Sequence, residues 1–222
     1  MDKVTLYLDS ETIPGPESGK DDVIVKAPAN YKKQEAIDRY IAEHKEEAYL
    51  KQSFNGGYGQ ICSFSFAVDD GPVWNDNDDG QRDCERDVLL MAFDTINKEL
   101  SISGAGDPVP TLCGHYISGF DLRFIMHRCI VHGIQIPPWL KANAKPWDAR
   151  IRDTMLLWAG HGNRIGLDEL CKILGVEGKG DMDGSQVYEY WKAGRHDEIA
   201  AYCNSDVEKV REIDLIFKRA GI

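Results

Sequence analysis

The sequence predicts an α/β protein: a mixed central sheet with flanking helices and a helical C-terminal part. Three observations predict it. β-rich apolar runs at 4–8, 60–68 and 109–116 are separated by helix-favouring segments. A hairpin signal joins 60–68, across the tight turn Asp69–Pro72, to a run beginning at Val73-Trp74, so at least one strand pair is antiparallel. From 166 onward the periodicity is mostly helical. Such an order gives an α/β sheet domain with a helical C-terminal part.

Each element follows from its residues. VTLYL at 4–8 is a short strand. Residues 13–30 hold three prolines and two glycines and read as loop, and 31–52 is a charged helix whose apolar content (Ile37, Tyr40, Ile41, Ala48) is thin enough to lie on the surface. FNGGYG at 54–59 is a turn. In QICSFSFAV at 60–68, Ile61, Ser63, Ser65 and Ala67 alternate with Cys62, Phe64, Phe66 and Val68, the period of a strand. Residues 83–100 form an amphipathic helix with Val88, Met91, Ala92, Thr95 and Ile96 on its stripe. A strand at 109–116 and an apolar helix at 119–132 follow, then an irregular connection at 134–150 with Pro137, Pro138 and Pro146. Residues 151–158 suit either a short strand or a helical turn. The helix at 166–174 is stopped by Gly175, and helices at 184–193 and 197–219 complete the chain.

A chain of 222 residues with 42% hydrophobic and 28% charged residues is expected to be one soluble domain, 1–222, with an insertion of loop plus charged helix at about 14–59. The formal net charge of −11 argues against long-range attraction for nucleic acid, but it leaves room for an enzyme that meets phosphates through bound cations. None of the six cysteines forms a C-x-x-C pair, which disfavours a zinc ribbon. No signal peptide is evident, and no apolar run approaches the roughly 18 to 20 residues that span a bilayer. A reducing, cytoplasmic setting is expected, without membrane association.

Four carboxylates carry the functional argument. Asp9 and Glu11 close the first strand, and residues two apart share a face. Asp121 follows a Gly-rich turn, and Asp206 follows Tyr202 by one helical turn. Each has a plain alternative. The first pair suits a polar strand end entering a loop. Asp121 suits a helix start, where an acid complements the dipole, and Asp206 suits an ion pair with a nearby Lys or Arg. Two decoys, Asp83-Cys84-Glu85 and Phe93-Asp94, mimic the first two motifs. Tyr202-x-x-x-Asp206 occurs once, flanking the apolar stripe Ile199, Cys203, Val207, Val210, Ile213 and Phe217. A carboxylate beside such a stripe is costly unless paired or metal-bound.

Taken together, LYLDSET, CGHYISGFDLRFI and IAAYCNSDVEKVREI resemble the three exonuclease motifs of the DEDD superfamily in its tyrosine subgroup (DEDDy). They are similar to proofreading domains of family B DNA polymerases, and more so to stand-alone exonucleases related to them. RDTMLLWAGHG and LDELCKILGVEGKGDMDGSQVYEYW share that similarity, which covers about residues 1–12 and 60–219. The resemblance implies an RNase H-like fold, with a mixed central sheet of five or six strands flanked by helices, and 3′→5′ exonuclease activity. It implies two divalent cations, Mg²⁺ or Mn²⁺, held by Asp9, Glu11 and Asp206, with Asp121 acting through a water and Tyr202 orienting the attacking water. The implied partner is nucleic acid with a free 3′ end, single-stranded DNA ahead of RNA, with any proofreading in trans to a polymerase or replication partner. A member that only binds nucleic acid, or one that trims RNA ends, stays open. The chain departs from the family at Tyr116, where an Asn is usual, which bears on substrate contacts.

Further substrate contacts are expected at Tyr116, Phe120, Lys141, Lys145 and Lys179. Lys141, Lys145, Arg150 and Arg152 gather beside Trp139 and Trp147 in an acidic chain, as phosphate and base contacts would require. A solvated loop with inward tryptophans accounts for the same residues. Lys179 has Gly neighbours that permit close backbone approach, as would a surface turn.

Overall fold

The computed structural model describes residues 4–77, 85–103, 109–141, 143–145, 147–177 and 182–222. Five strands form one mixed sheet: β1 (Thr5–Ile13), β2 (Gln60–Val68), β3 (Trp74–Asn77), β4 (Thr111–Gly114) and β5 (Ile151–Asp153), in the order β3-β2-β1-β4-β5. β1 runs antiparallel to β2 and parallel to β4, and β4 runs parallel to β5. The helices are α1 (Gln34–Leu50), α2 (Glu85–Ile102), α3 (Asp121–Val131), α4 (Thr154–Ala159), α5 (Leu167–Leu174), α6 (Val187–Lys192) and α7 (His196–Arg219).

β1 lies at the centre of the sheet and continues through both of its acids to Ile13, longer than the apolar run alone predicts. Its two faces meet different helices. Leu6 and Leu8 join Phe64, Phe66 and Val68 of β2 in the main core, with Val88, Leu89, Ala92, Phe93 and Ile96 of α2 and Leu122 and Ile125 of α3. Tyr7 joins Ala67, Cys113, Val207 and Val210 under α7. Full burial of each large apolar side chain contributes roughly 1.5 to 3 kcal/mol, so these two layers hold the sheet between helices.

Two details differ from the sequence reading. The buried stripe of α2 is Val88, Leu89, Ala92, Phe93, Ile96 and Leu100, whereas Met91 is exposed. Both stripes have helical spacing, and the sheet selects the edge carrying Phe93, whose ring meets Phe64 edge-on. In β2 the alternation slips. The β1–β2 register shifts between Glu11 and Thr12, so Ile61 shares the main core with Phe64 while Cys62 packs with Ile13, Val187 and Ile199. A bulge of this kind re-aims side chains and is frequent beside functional sites.

Residues 151–158 prove to be both alternatives in succession, β5 and then α4, and Asp153 caps α4 by accepting from Leu156 N–H. Gly175 ends α5 in the left-handed conformation at φ 70°, where a β-carbon would be strained. α1 is a surface helix in which Tyr49 alone is buried. No described helix is long and apolar enough to cross a membrane.

Candidate active site

The parallel strands β1, β4 and β5 end on one edge of the sheet, where α/β proteins commonly place their ligand sites. β4 pairs with β1 only from Thr5 to Tyr7, so Asp9 and Glu11 extend beyond it. Asp121 opens α3 just after β4, and α7 crosses the same face with Tyr202, Cys203 and Asp206. The structure thus brings together the four carboxylates that the sequence singles out.

Burial makes their proximity costly. Glu11 and Asp206 are each 8% exposed and Asp121 4%. Burial, followed by repulsion from Glu11, Asp206 and Asp121, raises the Asp9 pKa well above the usual carboxylate range. Glu11 is pushed up to about 8 by burial and by the charges of Asp206 and Asp121. Burial pushes Asp121 up to about 7 against the hydrogen bonds it accepts, including one from the Ser10 hydroxyl at 2.7 Å. Asp206 is also raised by burial, with Lys209 pulling it back. The Tyr202 hydroxyl is raised by burial and by Asp206, Glu11 and Asp9, which keeps it protonated at neutral pH.

Lys209 is the counter-charge. It is 5% exposed, and its Nζ donates to Asp206 Oδ1 at 2.9 Å and to Asp168 Oδ1 at 3.0 Å. Burial lowers its pKa, but Asp206 and Asp168 prevail and leave it raised. The ion pair that stands as the plain alternative for Asp206 therefore exists, within the acid cluster itself. Lys209 lies three residues beyond Asp206, a spacing that places the two on one helical face.

Cys203 carries a role that the sequence does not reveal. It sits in the apolar stripe of α7, yet its Sγ donates to Asp9 Oδ2 at 3.4 Å and lies 3.5 Å from the Asp9 carbonyl. Among the described residues, the one trio of potential ligands with donor atoms within 4.8 Å of one another is Asp9, Glu11 and Cys203. Its neighbour Asn204 accepts from the Ser65 hydroxyl at 2.8 Å, so α7 is tied to both β1 and β2 beside the acids.

Asp153 organises the approach to Asp121. Its carboxylate accepts from Tyr116 N–H at 3.0 Å, Ser118 N–H at 3.1 Å and the Ser118 hydroxyl at 2.7 Å, which fixes the turn before α3. Within that turn Tyr116 has φ 61°, a left-handed conformation that Asn adopts more readily than Tyr. A β-carbon at Gly119 would come within 2.3 Å of the Tyr116 ring, so the tyrosine depends on that glycine. The Arg164 guanidinium lies over the Tyr116 ring, 5.1 Å from its centroid.

The remaining expected residues are dispersed. Phe120 is half-buried against the core beside Asp121. Lys141 pairs with Asp148, and Arg152 with Asp214, so two members of the basic patch are neutralised. Trp139 is buried against Phe93 whereas Trp147 is 75% exposed. Lys145 is exposed, and Lys179 lies outside the described residues. The decoys resolve as structural: Glu85 pairs with Arg128 at 2.6 Å in the interior, and exposed Asp94 accepts from Lys98.

A mixed five-stranded sheet flanked by helices, with acids gathered at its carboxyl edge, is the RNase H-like architecture of polymerase exonuclease domains. The chain is similar in fold to the family B DNA polymerase of the hyperthermophilic archaeon Pyrobaculum calidifontis, with a TM-score of 0.57 and 15% identity over 95% of this chain. It spans 24% of that polymerase's length. Residues 73–210, well over half of the sequence, match the family described as "Predicted 3'-5' exonuclease related to the exonuclease domain of PolB". The chain belongs to that family. No curated protein matches it in sequence.

Proposed function

We propose that the protein is a divalent-metal-dependent 3′→5′ exonuclease of the DEDDy type, releasing 5′ mononucleotides. Asp9, Glu11, Asp121 and Asp206 hold the cations and Tyr202 orients water. The observation that carries this reading is the convergence of four carboxylates from β1, α3 and α7, three of them buried and Asp9 half-buried, with one buried cation, Lys209, among them. Such a surplus of buried negative charge suits hard cations, and Mg²⁺ or Mn²⁺ fits an oxygen-rich donor set. Bound there, two cations would make water acidic enough to supply a nucleophile at neutral pH and would offset charge building on the phosphate.

The chain's own residues do the rest. Lys209 and Asp168 hold Asp206 in one orientation. Ser10 fixes Asp121, and the Cys203 thiol donates to Asp9. Tyr202 keeps its proton, so it positions water by hydrogen bonding and does not act as a base. In this reading residues 1–222 act as a single exonuclease domain with 14–59 as an insertion. The substrate is single-stranded DNA in preference to RNA, and proofreading would be in trans to a polymerase.

The test is a gel of end-labelled single-stranded DNA, duplex DNA and RNA with Mg²⁺ or Mn²⁺, with Asp9→Ala as the blank. Stepwise shortening from the 3′ end by the wild type, absent in Asp9→Ala, is expected. Equal products from both proteins would overturn the reading.

A further inference from the structure

The insertion contributes to a second feature beside the carboxylates. A groove of about 250 Å³ runs between the turn that ends the insertion and the first half of α3, lined by Phe54, Asn55, Gly56, Phe120, Arg123 and His127 among others. Phe54 is 74% exposed, an unusual position for a phenylalanine that packs no core. Phe120 faces the same space with its ring 5.4 Å from that of buried Phe124. Arg123 is exposed and has no acidic partner among the described residues, in contrast to Arg128 five residues on, which is committed to Glu85.

The groove is built, not incidental. Arg128 Nη1 donates to the Gly56 carbonyl at 3.1 Å, clamping the turn onto α3. A β-carbon at Gly56 would lie 2.9 Å from His127 Cβ and 3.0 Å from the Phe124 carbonyl, so the backbones meet with no room for a side chain. The groove is also fixed to the acid-bearing strand. Thr12, next to Glu11 and re-aimed by the bulge, donates to the Ser53 carbonyl at 2.7 Å, and Phe54 follows directly. On the other wall Phe120 immediately precedes Asp121. Each aromatic ring is therefore held one residue from a group joined to the carboxylate site.

We propose that this groove is a base-binding subsite for single-stranded nucleic acid, in which Phe54 and Phe120 take bases by stacking and Arg123 takes a backbone phosphate. The inference rests on the exonuclease reading for the position of the 3′ end. An open ring at Phe54 and a half-buried one at Phe120, beside a guanidinium with no acidic partner among the described residues, match the alternation of base and phosphate along a strand, and stacking tolerates any base. Continuity with the carboxylates favours a substrate strand over a protein partner. The 14–59 insertion thereby acquires a role: its last turn supplies one wall.

The experiment compares wild type, Phe54→Ala and Arg123→Gln on three substrates: an oligothymidylate and an oligouridylate, each about ten nucleotides long, and thymidine 5′-(4-nitrophenyl) phosphate, which is too short to reach the groove. Phe54→Ala should raise KM for an oligonucleotide about tenfold and leave the small diester unchanged. Arg123→Gln should raise KM and flatten its dependence on salt. The two oligonucleotides show whether DNA, RNA or both enter. Anisotropy of the labelled oligonucleotides with Ca²⁺ supplies a readout free of turnover. Unchanged KM and affinity in both variants, or an equal loss on the small diester, overturns the groove. If wild type binds oligonucleotide, loses affinity on Phe54→Ala, yet cleaves nothing with Mg²⁺ or Mn²⁺, the groove stands and the exonuclease reading falls. Absence of both binding and cleavage overturns both.

Discussion

The middle and the C-terminal half of α7 hold buried acid in opposite ways. At its middle, Asp206 joins Asp9, Glu11 and Asp121 around one buried cation, Lys209. Two turns on, Asp214 is fully buried but receives the Tyr7 hydroxyl at 2.9 Å, Lys218 at 2.8 Å and the Arg152 guanidinium. Asp214 is one acid matched by two cations and a hydroxyl; the other cluster is four acids matched by one. Charge balance marks the anchor that docks α7 on the sheet. Charge surplus marks the place that, in the proposed function, a bound cation would balance.

Substitutions at these two positions should have opposite outcomes. Asp206→Ala is expected to lower metal-dependent nuclease activity by about a thousandfold while its melting temperature stays near wild type, as read by nuclease assay and calorimetry. Full activity in that variant would sink the site assignment. Asp214→Ala leaves Arg152 and Lys218 without their acid and should cost about 3 to 5 kcal/mol in urea denaturation. Turnover in the fraction that stays folded should fall far less than in Asp206→Ala. If Asp214→Ala instead abolishes activity without loss of stability, the contrast between anchor and site is wrong.

Tyr202→Phe should lower kcat about ten- to a hundredfold and leave cation affinity, followed by Mn²⁺ titration, unchanged. An unaltered rate would remove the tyrosine from the mechanism.

The smallest effect tests the surplus itself. In the fold, Glu11 at about 8 and Asp121 at about 7 keep protons that they lose in the unfolded chain near ordinary carboxylate values. The folded state therefore binds more protons than the unfolded one between about pH 4 and those values, so stability falls as pH rises through that window. In the proposed function a divalent cation would replace the lost protons. The gain in melting temperature on adding Mg²⁺ or Mn²⁺ should be larger at about pH 8 than at about pH 5. An equal gain at both would argue against cation binding at these acids.

The sequence makes the scaffold legible where periodicity speaks, and the site where residue types are rare. β1, β2, the Gly175 stop and the long C-terminal helix follow from local pattern. The motif around Tyr202 and Asp206 is visible because it occurs once. What stays hidden depends on partners distant in sequence. The buried edge of α2 is chosen by the sheet, not by its own spacing. The basic patch around Lys141 is thinned because Arg152 pairs with Asp214, 62 residues later. Cys203 reads as one more apolar residue, since a helical stripe does not reveal that its sulfur meets Asp9, which lies 194 residues earlier. The left-handed turn at Tyr116 gives no local signal, as tyrosine is a poor choice for it.

The anchor at Asp214 has a mechanical consequence for Asp206. Eight residues of α-helix separate them, about 12 Å at 1.5 Å per residue. A rigid rod of that length converts a tilt of about five degrees at the anchor into a shift of roughly 1 Å at the carboxylate. Displacements of that size can lower a reaction rate by about a hundredfold. Tyr7, Arg152 and Lys218, none of which touches the acid cluster, thereby set the aim of the residue that does.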